Sequence, residues 1–412
     1  MRIIAFFMKY SFSGRIHFID ELTGENHNTK GRFYMEVGIL TMHRVLNYGS
    51  FMQAYALKRV IESFGHHVTF KDFRRGESHH IGEKAKAPGV LDKVAKIPSI
   101  ISNIDEFLEK RALRRESNKY YKQICWPLLN VSETPDYDLT ADVMVIGSDE
   151  VFNYTQNDAL GYVPCLFGHN INAPLILSYA ASAGYANWDD VIADGMVDEI
   201  GAGLKRMKYI SVRDENTRLL VEHCTGSSPA LALDPTLIYD YDEVMSQQRI
   251  IDGDYLLVYA YEGRTESESE VHAVRDFAAR HKLKVIAAGG GGAYHAWCDD
   301  NIVVSWPFDL LSLFRDAAFV VTDTFHGSIF SMKFTKQFAA FLRGQNEFGS
   351  NFNKVHFLLH QFGMESRIIN NLSDINDILV TPAPYDTFNK HLLDLRQASL
   401  DFLTKALGPE RL

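Results

Sequence analysis

From Met35 onward, short apolar runs alternate with stretches in which apolar residues recur every three or four positions. Val37-Gly-Ile-Leu-Thr-Met42 reads as a strand and Asn47-Tyr-Gly49 as the turn after it. Met52, Ala56, Val60, Ile61 and Phe64 then share one helical face, closed by Gly65, which tolerates the left-handed conformation beyond a helix end. His67-Val-Thr-Phe70 is the next strand. Strand, helix and strand in this order form a βαβ unit, so the two strands are predicted to be parallel with a right-handed crossover. The same apolar runs predict strands at Asp142–Gly147, Pro174–Ala180, Tyr209–Val212, Asp254–Tyr259, Lys284–Ala288 and Phe319–Asp323. Helical periodicity predicts helices at Asp105–Tyr121, Ser267–His281 and His391–Ala406.

This pattern divides the chain. Residues 1–34 lack apolar periodicity and are expected to form a poorly ordered tail, with Met35 an alternative start just before the first strand. Residues 35–250 are expected to form a first unit, interrupted by a helical insertion at about 76–135. Leu233-Asp-Pro-Thr-Leu237 and the polar residues up to Gly253 punctuate the chain, and a second unit is expected over 251–385. Residues 386–412 then supply a helix that packs back towards the first unit. Both units repeat the same βα logic, so the expected fold is α/β, with two Rossmann-like domains facing across a cleft. The helix over Asp105–Tyr121 carries both signs of charge and reads either as a solvated face or as a ridge for a polyanion.

Composition narrows the field. The 412 residues are 46% hydrophobic and 23% charged, which excludes disorder as a description of the whole chain. With 42 Lys+Arg against 52 Asp+Glu the formal charge is −10, which argues against broad nucleic-acid binding. The four scattered cysteines (Cys125, Cys165, Cys224 and Cys298) form no Cys-x-x-Cys pair, and a cytoplasmic location is expected. No apolar run approaches the ~18 residues of a membrane span. No metal is expected: His295 and Cys298 lack a partner pair, and His66-His67 and His79-His80 lack ligand spacing on a helix.

Ligands of open parallel sheets bind beyond the carboxyl ends of the strands, which singles out a few turns. Asn47 and Gly49 open a helix whose unpaired N–H groups suit an anion, although Asn47 serves equally as a plain cap. Ser148 and Asp149 follow an apolar strand; Asp149 is placed either for proton transfer or as a cap. Ser178 and Ser182 lie in a run of small residues that admits either a close ligand or tight packing. Arg213, after the strand Tyr209–Val212, suits a carboxylate or phosphate, or a salt bridge to its acidic neighbours. His326, followed by Gly327 and Ser328, ends a buried strand and opens a helix, where it can donate to an anion and exchange protons, or be a satisfied structural histidine. The run Gly289 to Gly292 lacks the spacing of a phosphate loop.

The ordered set Gly38-Ile-Leu-Thr, Asn47-Tyr-Gly-Ser, Gln53-Ala-Tyr-Ala-Leu57, Val145-Ile-Gly-Ser-Asp149, Ser178-Tyr-Ala-Ala-Ser182, Ile210-Ser-Val-Arg213, Leu233-Asp-Pro-Thr236 and Thr322-Asp-Thr-Phe-His-Gly-Ser-Ile-Phe330 resembles the polysaccharide pyruvyl transferase family. The resemblance runs over about residues 37 to 370 and implies a GT-B-like arrangement of two domains. It implies transfer of a pyruvyl group from phosphoenolpyruvate to two hydroxyls of a sugar, forming a ketal and releasing phosphate. The acceptor would be a sugar of a cell-surface or exopolysaccharide precursor, lipid-linked in one version, with peripheral membrane association through it. No cofactor beyond the donor is implied. Carried over, the family's arginine falls on Arg213 and its His-Gly on His326-Gly327, both towards the donor anion, and its acidic position falls on Asp149. Some members carry an arginine two residues before the histidine, where this chain has Thr324; Arg343 or Lys354 would be its replacement. His326 and Asp149 would divide the proton work, with Arg213 as clamp. A nucleotide-sugar glycosyltransferase of the same architecture, or a sugar- or anion-binding relative without catalysis, is the alternative.

Overall fold

The computed structural model describes residues 34–76, 104–156, 160–289, 293–344 and 352–408. The expected tail therefore lies, apart from Tyr34, outside the described residues, as do 77–103 of the expected insertion and Gly290 to Gly292 of the glycine run.

Among the described residues two parallel sheets form. The first holds β1 (Glu36–Leu40), β2 (His67–Phe70), β3 (Val143–Asp149), β4 (Leu175–Ala181), β5 (Tyr209–Val212) and β6 (Ala230–Leu231) in the order β2-β1-β3-β4-β5-β6. The second holds β7 (Tyr255–Tyr259), β8 (Lys284–Ala288), β9 (Asp300–Ile302), β10 (Phe319–Thr322) and β11 (Gln337–Ala340) in the order β11-β10-β7-β8-β9. Every pairing is parallel, which requires a crossover between paired strands and buries both sheet faces. That is why the strands read as unbroken apolar runs: β3 is buried throughout except at its last residue, and β7 throughout.

The first crossover is α1 (Tyr48–Ser63), capped by Asn47 and followed by Gly65 at φ 94°. The Asp105–Tyr121 periodicity appears as α2 (Ile104–Tyr120). Eight positions (Val37, Met42, Asp142, Gly147, Pro174, Ala180, Asp254 and Asp323) shift by a residue or two at strand ends, where hydrogen bonding rather than apolarity sets the boundary. The short strands β6 and β9, of two and three residues, carry too few to show an apolar run of their own, and β11 is not among the predicted strands.

The fold is α/β, with two Rossmann-like halves facing across a cleft in a GT-B-like arrangement. One apolar cluster runs through both halves. At its centre Phe51 and Tyr55 of α1 meet Phe308 at ring-centroid distances of 5.6 and 4.8 Å, and Tyr241 meets Phe308 at 6.0 Å. Beside them Tyr48 Oη donates across the seam to the Val304 carbonyl (2.9 Å), and Tyr241 Oη donates to the Met52 carbonyl of α1 (2.9 Å). This aromatic floor holds the two sheets' carboxyl ends opposite one another. The last helix, here α6 (Tyr385–Leu407), begins against the second sheet, where Tyr385 Oη donates to the Ser331 carbonyl (3.2 Å). It ends against the first, with Phe402 beside Tyr179 and Tyr209 and the Leu407 carbonyl accepting from His66 Nε2 (2.7 Å). Intervening helices used below are α3 (Pro235–Ile238), α4 (Phe325–Lys333) and α5 (Phe352–Gln361).

Candidate active site

Two helices, one from each half, start at the mouth of the cleft. Asn47 caps α1, its Oδ1 accepting from the Gly49 N–H (2.7 Å) and the Ser50 N–H (3.4 Å). Thr324 caps α4, its Oγ1 accepting from the Gly327 N–H (2.9 Å). Both caps line a small pocket, open to solvent, whose other walls are Tyr259, Ala260, Tyr261 and His326. The pocket therefore lies beyond the carboxyl ends of β7 and β10, against the start of α1.

Beneath it runs a buried charged network. The Ser50 hydroxyl donates to Asp149 Oδ2 (2.6 Å). Arg213, which leaves β5, sends Nη2 to Asp149 Oδ1 (3.4 Å) and Nη1 to Asp234 Oδ2 (3.0 Å), with its guanidinium 4.3 Å above the Phe325 ring. Ser148 Oγ donates to the same Asp234 oxygen at 3.3 Å, and His326 Nε2 lies 3.6 Å from it. The other Asp234 oxygen caps α3 by accepting from the Thr236 N–H and hydroxyl (3.0 and 2.7 Å). Burial alone would raise the Asp234 carboxyl; His326 and Arg213 reverse this and hold it well below the usual carboxylate range. Burial would lower Arg213, but Asp149 and Asp234 raise it instead. His326 Nε2 is buried and makes no hydrogen bond.

Gly49 explains how the halves come so close. A Cβ there would sit 2.3 Å from His326 Nδ1, so only glycine lets α1 pack against the ring. Gly327 is constrained similarly, since its Cβ would lie 2.1 Å from Thr322 Oγ1.

Of the residues singled out from sequence, His326, Asp149, Arg213, Asn47, Gly49 and Ser148 converge here. Arg213 is salt-bridged, to acids distant in the chain, and does not take the place of the clamp that the resemblance implies. Its side chain is 2% exposed and its Nη atoms are committed to Asp149 and Asp234, so it serves as a counter-ion inside the network rather than as an open clamp. Ser178 and Ser182 are not in the pocket: Ser178 Oγ donates to the Ser211 carbonyl (3.0 Å) between β4 and β5, and Ser182 Oγ to Asp214 (2.6 Å). The run of small residues there reflects packing of strand on strand. Ser328 is also buried, its hydroxyl returned to the Thr324 carbonyl (3.1 Å) in the first turn of α4. Neither proposed stand-in for the absent arginine points into the pocket. Arg343 pairs with Glu270 and donates to Thr265 Oγ1 (2.8 Å), and Lys354 of α5 pairs across the halves with Glu150. Burial would raise Glu150, but Lys354 overrides it and brings the carboxyl down to about 2.

The sequence reading passed over Asp234, Ser50, Glu150 and Tyr261. Asp234 and Ser50 sit inside stretches already quoted and Glu150 directly follows one, so a polar residue beside the end of an element is the available signal. For Tyr261, whose Oη accepts from Asn47 Nδ2 (3.4 Å), no signal exists in the chain. Among the described residues, no three His, Cys, Asp or Glu side chains come together to hold a metal, and no helix is long and apolar enough to cross a membrane.

Two parallel sheets meeting through their carboxyl ends, around a buried histidine and two aspartates, define the class by architecture: an α/β protein with its candidate site between two Rossmann-like halves. A family profile described as polysaccharide pyruvyl transferase matches residues 47–344, and the chain belongs to that family. A search of curated proteins gave no match. Solved structures similar to the chain include the UDP-GlcNAc 2-epimerase of Methanocaldococcus jannaschii in complex with UDP-GlcNAc and UDP (10% identity, 89% of this chain and 99% of that one, TM-score 0.44). Others are a putative UDP-N-acetylglucosamine 2-epimerase of Listeria monocytogenes (10% identity, 92% of each chain, TM-score 0.42) and Arabidopsis thaliana UGT89C1 complexed with quercetin (11% identity, 91% and 100%, TM-score 0.43).

Proposed function

We propose that the protein transfers the pyruvyl group of phosphoenolpyruvate to two hydroxyls of a sugar in a polysaccharide precursor, in the cytoplasm, forming a ketal and releasing phosphate. The observation that carries this reading is His326 Nε2: buried, without a hydrogen-bond partner, at the pocket wall and 3.6 Å from an ionised Asp234. A ring nitrogen left without a partner at the pocket wall is free to pass a proton to a bound donor, which suits a general acid. His326 would protonate the methylene carbon of the donor, leaving an oxocarbenium-like centre at C2. A sugar hydroxyl attacks that centre and gives its proton to Asp149. Phosphate would leave with the proton held by Asp149, and a second hydroxyl would attack C2 and return its proton to His326, closing the ketal. The starts of α1 and α4 supply positive dipole ends for the donor's anionic groups, which offsets the absence of a free arginine at Thr324. Asn47 and Tyr261, which line the same pocket, would contact the sugar.

The test is incubation with phosphoenolpyruvate and a panel of lipid-linked and nucleotide-linked sugars, followed by phosphate assay and mass spectrometry. The expected result is equimolar phosphate and a product heavier by phosphoenolpyruvate less phosphoric acid. Transfer of a sugar from a nucleotide-sugar, with no reaction of phosphoenolpyruvate, would replace this reading by that of a glycosyltransferase.

A further inference from the structure

Helix α2 packs through Leu113, Ser117 and Tyr120 and turns its opposite side outward. On that side Ile104, Phe107 and Leu108 are 52, 42 and 53% exposed. Continuing at spacings of three and four, Arg111, Arg115 and Lys119 extend the same stripe, and all are exposed. Arg111 and Arg115 have no acidic partner among the described residues, whereas Lys110 and Arg114, on the flank facing the second half, both pair with Glu262. The acidic residues of the helix lie off the stripe; Glu109, for example, accepts from Tyr294 Oη (2.9 Å), also of the second half. An apolar end followed by three cations, on a chain with net charge −10, is not what solvation alone requires.

We infer that this face of α2 docks on an anionic lipid bilayer. The three apolar side chains reach the interface and Arg111, Arg115 and Lys119 meet the lipid headgroups. Position supports this: Glu262, which anchors α2, directly follows Tyr261 at the pocket wall, so docking holds the cleft mouth beside the membrane surface. The inference stands on the patch itself and does not depend on which group the enzyme transfers.

The test is co-sedimentation of the full chain with phosphatidylcholine vesicles, with and without about a third phosphatidylglycerol. Binding is expected only to the anionic vesicles and is expected to be released by high salt. Arg111→Glu and Arg115→Glu are each expected to lower partitioning by at least about five-fold. Phe107→Ser with Leu108→Ser is expected to weaken it as well, with unchanged thermal unfolding because the four side chains are exposed. Absence of binding, or binding that ignores these substitutions, overturns the inference. So does a concentration-dependent dimer in sedimentation velocity that Phe107→Ser with Leu108→Ser abolishes, since the face would then meet a second copy.

Discussion

Gly49→Ala is the most direct test of how the halves meet. In the first turn of a helix, replacing glycine by alanine ordinarily stabilises by up to about 1 kcal/mol, because glycine loses more backbone freedom on folding. Here the added methyl would sit 2.3 Å from His326 Nδ1 and 2.6 Å from Cγ. Ordinary contact begins near 3.4 Å, so ring and helix must separate by about 1 Å. The aromatic floor just beneath, with Phe51 and Tyr55 on Phe308, leaves α1 little room to retreat. Overpacking of this kind costs about 1–3 kcal/mol, which outweighs the propensity gain and reverses its sign. If His326 is the proposed acid, displacing its ring by about 1 Å should also lower turnover about a hundred-fold. Urea unfolding read by circular dichroism gives the first quantity, and phosphate release from phosphoenolpyruvate the second. A double-mutant cycle isolates the cause, because His326→Ala removes the clashing ring and Gly49→Ala in that background should become neutral or stabilising. If Gly49→Ala stabilises the otherwise native protein, α1 and His326 are not in contact and the cross-half site described here is wrong.

Other substitutions probe the charges. Asp234→Ala leaves the buried Arg213 with Asp149 alone and removes the α3 cap, and should destabilise by about 3–5 kcal/mol in chemical denaturation. Because the folded state depresses the Asp234 carboxyl, its contribution is present above the unfolded value near 4 and is lost as pH falls below it; Asp234→Asn should flatten acid unfolding below about pH 4. Glu150, held at about 2, behaves with the same sign: its pairing with Lys354 should weaken as pH falls from about 4 towards 2, and Glu150→Gln should remove that dependence as well as stability at neutral pH. His326→Ala is expected to cut turnover with phosphoenolpyruvate by about 10²–10⁴-fold in initial-rate assays while leaving the fold intact.

Much of this architecture was legible in the chain. Buried parallel strands must be apolar along their whole length, and crossover helices must show one apolar face. Val37–Met42, Val60-Ile61 and Phe319-Val-Val therefore announced β1, α1 and β10 without knowledge of their partners. Strand ends followed by Asp149, Arg213 and His326 were visible for the same reason: the chain turns polar where it leaves the sheet. What these side chains touch was not visible. Arg213 read as an open clamp because its neighbours in sequence say nothing about Asp149, 64 positions away, which helps enclose it. Asp234 read as punctuation because Asp-Pro-Thr is a good helix start, which it is; its second oxygen serves Arg213 and Ser148 only once β5, β3 and α3 are packed. Ser178 and Ser182 look like ligand contacts in one dimension and prove to be hydrogen-bonded scaffold in three. Local periodicity, which needs only neighbours in the chain, determined the two sheets and their crossovers. The convergence of Ser50, Asp149, Arg213, Asp234 and His326 from five segments was decided by tertiary packing, because burial and charge pairing depend on residues the chain itself keeps far apart.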